Sequence, residues 1–297
     1  MEKVNPVLFD AVVLLLGKDI REKKELRTLD ADFIEGRIQS FLKKNPNIRR
    51  SLMVKALGDA AKIKKTREYR LVLKSVRKEL REVYGVFIMQ GYAEKKASDS
   101  DEKILRAHRS SAERLPAYRE LYGQIFLPHA PAWKGKRVRV IDLGCGMNPA
   151  SCKLLAGVLK QRITYAAYDV SSQDMAFLNS YFRSRGIRGA AIRIDLAREE
   201  DFPMIDLHKA KDEFLACFLF KLVDTLETVN RHISKKLILH LAKHADLLAV
   251  TFPTKTIGGR KRIAEEKRWW LEGFLRAHDL PFQTSIVGEE LLYVIRC

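Results

Sequence analysis

The sequence predicts an α/β fold with a mainly parallel sheet, preceded by an all-helical region. Three observations predict it. Beyond residue 136, short β-rich runs alternate with helical stretches, the pattern of βαβ units. The final two runs are joined only by Gly288-Glu289-Glu290, too short for a helical crossover, so they form an antiparallel hairpin. The first ninety residues place apolar side chains at three- and four-residue steps, as helices do.

The expected strands are Val138–Leu143, Thr164–Tyr168, Ala191–Ile194, Leu215–Phe220, Leu247–Phe252, Phe282–Val287 and Leu291–Ile295. Among the helical stretches, Val7–Leu16 and Phe33–Phe41 are apolar at helical spacing, and Val72, Val76, Leu80 and Val83 define one face of a third. Asn45-Pro46-Asn47 marks a turn. The polar, charged segment Ala93–Lys103 reads as a linker. It divides a helical region over 1–103 from an α/β domain over 104–297, which opens with a helix at about Ile104–Phe126.

A chain of 297 residues with 46 % hydrophobic residues has enough apolar surface for a large core. Its formal net charge of +18 favours a polyanionic partner, nucleic acid first and an anionic membrane second. The charge is denser over residues 1–134, which carry a net +11, than over residues 135–297, with a net +7. The apolar run Val7–Leu16 is broken by Asp10 and falls short of the roughly 20 residues a membrane span needs. No small-residue cleavage site follows it, so no signal peptide is expected. Cys145, Cys152, Cys217 and Cys297 lack CxxC pairing and a His at zinc spacing, so they are read as reduced thiols of a cytoplasmic protein without a metal site.

The segment VRVIDLGCGMNP, Val138–Pro149, runs an apolar strand through Asp142 into Gly144-Cys145-Gly146. Glycines there let the backbone turn tightly and approach a ligand closely. A phosphate cradle would carry a third glycine, where Asn148-Pro149 stands instead. A loop relieved of binding pyrophosphate can drop it, which favours S-adenosyl-L-methionine over a dinucleotide. The other reading is an ordinary strand–helix turn. Asp169, 23 residues beyond Gly146, ends the run AAYD where such folds hold ribose hydroxyls, and Asp195 ends IRID where a side chain can meet adenine. Either aspartate alone could simply cap the following helix; the three strand ends in order favour a cofactor site.

Several stretches resemble the aminoglycoside-resistance 16S rRNA (guanine-N7) methyltransferases, the Arm/Rmt/Sgm/Kgm group of FmrO type. They are His108–Phe126, Val140–Pro149, Phe220-Lys221-Leu222 with Leu226-Glu227, Val250–Arg260 and Val287–Ile295, with a shorter echo at Val76–Ile88. The resemblance implies a class I methyltransferase fold behind a helical ribosome-docking domain. It also implies methylation of guanine 1405 in assembled small subunits, with 16S rRNA as partner and a monomeric, cytoplasmic enzyme. By that resemblance Arg114 holds the cofactor's carboxylate, with His108 and Ser110 beside it. Gly144, Cys145 and Gly146 line its methionine part, Asp169 takes ribose, and Asp195 with Leu196 meets adenine. Lys221 faces the methyl-transfer site, a surface ion pair being the other reading, and the loop Thr254–Arg260, with Lys255, lies near the target base. The match is poorer before residue 76.

Guanine N7 offers a lone pair and has no proton to lose, so the reaction needs aligned geometry and a pocket for a flipped base rather than a general base. Glu227 and Glu289 are candidates for a carboxylate beside the charged product, or for plain surface residues. Arg67, Arg70, Lys74, Arg77 or Lys78, and Arg81 recur at helical spacing as a cationic stripe; i,i+4 repulsion makes such a stripe easier to understand against phosphates, and a plain solvated face is the other reading. Arg260, Lys261 and Arg262 follow two glycines as a second basic site. Trp269 and Trp270 are candidates for stacking on a base, with at least one expected in the core. Two other functions stay open: a methyltransferase for another RNA site, a protein or a small molecule, and an RNA-binding factor that keeps only the fold.

Overall fold

A computed structural model of the chain describes residues 6–57, 60–256, 262–264 and 268–297. Contacts divide it into two compact units, residues 1–86 and 87–297.

The first unit is helical: α1 (Pro6–Arg21), α2 (Ala31–Lys44), α3 (Pro46–Ala56), α4 (Ala60–Ile63) and α5 (Arg67–Val83). Helix α5 begins where the Thr66 hydroxyl accepts the Tyr69 N–H at 3.3 Å, a standard N-cap. It buries Tyr69, Val72, Val76 and Leu80 against Val12, Leu16 and Ile20 of α1 and Ile34 and Ile38 of α2. Asp19 of α1 is buried because it is satisfied: Tyr69 Oη donates to it at 2.8 Å and Lys64 Nζ at 2.6 Å.

The second unit opens with short helices: α6 (Tyr92–Lys96), α7 (Asp101–Leu105), α8 (Arg109–Arg114), α9 (Tyr118–Phe126) and α10 (Ala130–Trp133). The single helix expected over Ile104–Phe126 is therefore broken twice. His108 is extended, at φ −113° and ψ 129°, and Pro116 lacks the N–H that would continue a helix, leaving a tight turn at Leu115–Ala117. The segment read as a linker, Ala93–Lys103, carries α6 and the start of α7 and belongs to this unit. Lys96 holds it there, paired with Asp174 and lying 4.8 Å and 4.9 Å from the Tyr92 and Phe177 rings.

The remaining elements are β1 (Arg137–Leu143), α11 (Cys152–Leu159), β2 (Ile163–Asp169), α12 (Ser172–Arg185), β3 (Arg188–Arg193), β4 (Glu213–Phe220), α13 (Val223–Val229), α14 (Ile233–Ala242), β5 (Leu247–Pro253), α15 (Trp269–Ala277), β6 (Phe282–Val287) and β7 (Glu290–Arg296). All seven expected strands are present, in the order β3-β2-β1-β4-β5-β7-β6. Strands β1 to β5 run parallel, while β7 enters antiparallel between β5 and β6.

The sheet is covered on both faces, and β4 shows why its sequence is almost wholly apolar. Phe214, Ala216, Phe218 and Phe220 pack toward α9, α11 and α12, while Leu215, Cys217 and Leu219 pack toward α13, α14 and α15. Strand order reverses between β1 and β4. The carboxyl ends of the strands at such a switch point are where open α/β sheets form a crevice for their ligands.

Candidate active site

The carboxyl end of β1 meets the crevice through its two glycines. Gly144 (φ +62°) and Gly146 (φ +49°) occupy the left-handed region, and neither has room for a side chain. A Cβ on Gly144 would lie 2.7 Å from Leu222, and one on Gly146 between 2.6 and 2.8 Å from the His108 ring. The turn is tied to the next strand: Asp169 accepts the Gly146 N–H at 2.8 Å and the Val170 N–H at 2.7 Å. Burial pushes the Asp169 carboxyl up to about 6.

Asp142 is buried below the turn. Tyr165 Oη and Asn148 Nδ2 donate to its Oδ2 at 2.6 and 2.8 Å, whereas its buried Oδ1 has no hydrogen-bond partner among the described residues. Burial raises this carboxyl too, to about 6. The Cys145 thiol is buried and pushed well up by desolvation, so it is inert. Asp195 lies two residues beyond Arg193, which pairs in register with Asp169. Its Oδ1 accepts the Ala197 N–H at 3.1 Å, and Leu196 is buried beside it.

His108 covers the glycine turn. Its Nδ1 is 3.0 Å from the Ser110 hydroxyl and its ring stacks on Phe87 at 5.3 Å and 11°. Burial pushes its pKa down to about 4, so at neutral pH it is an uncharged imidazole.

A buried ionic chain runs from this turn to the β4 end of the crevice. Arg114 Nη1 donates to Asn148 Oδ1 at 3.0 Å, and Arg114 Nε and Nη2 donate to Glu290 at 3.0 and 3.3 Å. The guanidinium also lies 4.6 Å from the Phe220 ring centroid. Glu290 is reached by Lys221 Nζ at 3.2 Å, and the same ammonium lies 2.8 Å from Glu113. Burial works to raise the Glu290 carboxyl, but Arg114 and Lys221 outweigh it and hold the group ionised, below the usual range. Lys221 is fixed by a left-handed backbone (φ +55°), with its N–H donating to Thr251 O at 3.0 Å and Oγ1 at 3.1 Å.

Contacts thus link His108, Ser110, Arg114, Asp142, Gly146, Asp169 and Lys221 into one network at the carboxyl ends of the strands, with Gly144 and Cys145 in its turn and Asp195 and Leu196 at the neighbouring strand tip. Sequence reasoning misses Asn148 and Glu290. Asn148 is the residue standing where a third glycine is absent, and its amide joins Asp142 to Arg114. Of the adjacent glutamates, the sequence singles out Glu289, yet it is the exposed one, paired with Lys255. Glu290 begins β7 and points inward. Glu227 accepts the His232 and Ser234 N–H groups at 2.8 and 3.1 Å and so caps α14.

Among the described residues no group of His, Cys, Asp and Glu is placed to hold a metal ion, and no helix is long and apolar enough to cross a membrane. Lys255 pairs backbones with Arg262, which is exposed; Arg260 and Lys261 lie outside the described residues. On α5, Arg67, Arg70, Lys74, Lys78 and Arg81 are exposed. Arg77 turns inward, donating to Asp19 O, with Glu22 at 3.8 Å. Lys23, Arg70, Lys74, Arg77, Lys78 and Arg81 line a groove of about 570 Å³ on the first unit.

A sheet of this order, with the glycine turn and acidic strand tips at its switch point, is that of a class I methyltransferase. Residues 68–294 match the family model described as ribosomal RNA methyltransferase (FmrO), and the chain belongs to that family. It is 27 % identical over 267 residues to a 16S rRNA (guanine(1405)-N(7))-methyltransferase of Micromonospora echinospora, covering 84 % of this chain and 88 % of that protein. A protein of the same name from Serratia marcescens is 28 % identical over 206 residues, covering 65 % of this chain and 69 % of the other. Among solved structures, the 16S rRNA methylase ArmA superposes with a TM-score of 0.47 at 22 % identity, covering 70 % of this chain and 94 % of that one.

Proposed function

We propose that this enzyme transfers a methyl group from S-adenosyl-L-methionine to N7 of a guanine in 16S rRNA, the base equivalent to guanine 1405, in assembled small subunits. The reading is carried by one observation: the crevice of this family member holds a glycine turn bound directly to an acidic strand tip, Gly146 to Asp169. The named relatives supply the substrate class.

The crevice residues fit the donor. Gly144 and Gly146 leave the turn without side chains at these positions, with Leu222 and the His108 ring closed against them, and Asp142 Oδ1 is a buried acceptor still without a partner among the described residues. In this reading Arg114 binds the donor's carboxylate, Glu290 holding the guanidinium in place. His108 and Ser110 border it, and Gly144, Cys145 and Gly146 line the methionine part. Asp169 takes the ribose hydroxyls; Asp195 and Leu196 contact adenine. The donor supplies a methyl group already activated on a sulfonium. The chain contributes alignment and exclusion of water, and no proton has to be removed. Lys221, on the β4 side, orients guanine O6. Arg67, Arg70, Lys74, Lys78 and Arg81, with Arg77 at the groove wall, bind phosphates, and Lys255, Arg260, Lys261 and Arg262 lie along the RNA near the target base. The enzyme acts as a cytoplasmic monomer.

The test is direct. Purified 30S subunits are incubated with the protein and labelled donor, then cleaved at N7-methylguanine and mapped by primer extension. A single stop at the position equivalent to guanine 1405 supports the proposal. Label in protein, or a stop elsewhere, rejects it. Expression in an aminoglycoside-sensitive bacterium then reads whether the modification confers resistance.

A further inference from the structure

The two adjacent tryptophans divide at the start of α15. Trp270 packs against the core on the α14 side of the sheet, with Lys235 Nζ 5.4 Å from its ring. Trp269 is 63 % exposed and has no ring partner among the described residues. Its place is nevertheless fixed. The preceding residue, Arg268, is buried; it donates to Asp224 Oδ2 at 2.6 Å and lies 4.5 Å from the Phe252 ring centroid. Asp224 stands three positions after Lys221, and Phe252 lies near the carboxyl end of β5. These two contacts pin the N-terminus of α15 beside the β4 and β5 end of the crevice, opposite the strand tips assigned to the donor.

The same edge carries basic residues, Lys255 paired with Glu289 and the exposed Arg262. Between β5 and α15 the chain folds back on itself, with Lys255 and Arg262 paired and Ile263 N–H donating to Thr254 O at 2.7 Å. A solvent-facing indole on an anchored helix end, beside a basic loop, is an arrangement with which proteins stack unpaired bases. The chain's other tryptophans offer no such face: Trp133 is buried and Trp270 is half-buried.

We infer that Trp269 is a binding residue for the acceptor RNA, stacking on an unpaired base next to the methylated guanine. The inference rests on the function proposed above and adds a contact on the acceptor side. Sequence-specific recognition of RNA falls chiefly on unpaired bases splayed from the stack, and an enzyme that extrudes a base leaves neighbours to be held.

The experiment compares wild type, Trp269→Phe and Trp269→Ala on 30S subunits. It measures kcat and KM for subunits, donor affinity by calorimetry, and the thermal midpoint. Trp269→Ala is expected to lower kcat/KM for subunits roughly ten- to hundredfold, the range lost with one base–aromatic stack. Donor affinity and thermal midpoint stay unchanged, and Trp269→Phe, which still stacks, recovers most of the loss. Unchanged kcat/KM in Trp269→Ala overturns the inference while leaving the proposed function standing. So does a Phe variant as impaired as the Ala variant. A wild type inactive on subunits removes the proposed function, and this contact with it.

Discussion

Arg114 and Glu290 stand 176 positions apart in the chain and meet at 3.0 Å with side chains 3 % and 4 % exposed. Their pair joins the helices ahead of the sheet to its antiparallel hairpin. Removing one partner strands the other charge in a dry interior. Glu290→Ala is expected to lower unfolding free energy by about 3–5 kcal/mol, read as a fall in urea midpoint at constant m. Replacing both partners with apolar residues, Arg114→Met with Glu290→Leu, is expected to restore most of that stability and still abolish donor binding. A double variant as unstable as the single one contradicts this account.

The glycine turn gives a second prediction with an internal control. Gly146→Ala meets both a positive φ and the His108 ring, so it is expected to cost at least ~1–2 kcal/mol and to eliminate donor binding in calorimetry. Gly157, on the exposed side of α11, has nothing within 4 Å of the place a Cβ would take and an ordinary φ. There Gly157→Ala is expected to stabilise by about 0.5–1 kcal/mol without affecting binding.

The third concerns pH. His108 has a folded pKa of about 4 because burial disfavours its charged form. Unfolded, it returns to about 6.5, so between these values the unfolded chain binds the extra proton and stability falls as pH drops. The effect reaches about 3 kcal/mol at most. Asp142 and Asp169, raised by burial to about 6, act in the opposite direction. Their native forms hold protons that the unfolded chain releases, so their contribution is present at low pH and lost as pH rises through about 6. The His108 part is isolated by comparison with His108→Asn: the difference in unfolding free energy between wild type and variant is expected to shrink from pH 7 to pH 4. NMR of the His108 ring should show no protonation above about pH 5.

On α5, reversing charge at Arg67, Arg70 and Lys74 is expected to weaken subunit binding and leave donor binding intact. These three are exposed without an ion-pair partner among the described residues. The slope of log K against log salt should fall by about 2–3, close to one per lost phosphate contact. An unchanged slope rejects the cationic stripe. Arg77→Glu is different, because Arg77 anchors to Asp19 O, and it is expected to reduce stability as well.

The central strands were legible in the sequence because buried parallel strands need unbroken apolar runs, and β4 and β5 supply them. The hairpin followed from a link too short for anything else. The break at His108 was not legible: the residues from Ile104 to Phe126 keep helical periodicity, and only tertiary contact with Gly146 and Phe87 draws His108 into an extended conformation. The acids at the strand tips were legible by position. Their partners were not, since Asn148 and Glu290 act through contacts with residues far away in the chain. Choosing between Glu289 and Glu290 required the end of the hairpin turn, which leaves Glu289 outside with Lys255 and starts β7 at Glu290, facing Arg114.

That inward turn has a consequence for how the enzyme matures. A chain that had assembled β1 to β5 without the hairpin would already display the bare turn and Asp169, but its arginine would lack the carboxylate that seats it. The buried ion pair is therefore complete only once β7 lies between β5 and β6.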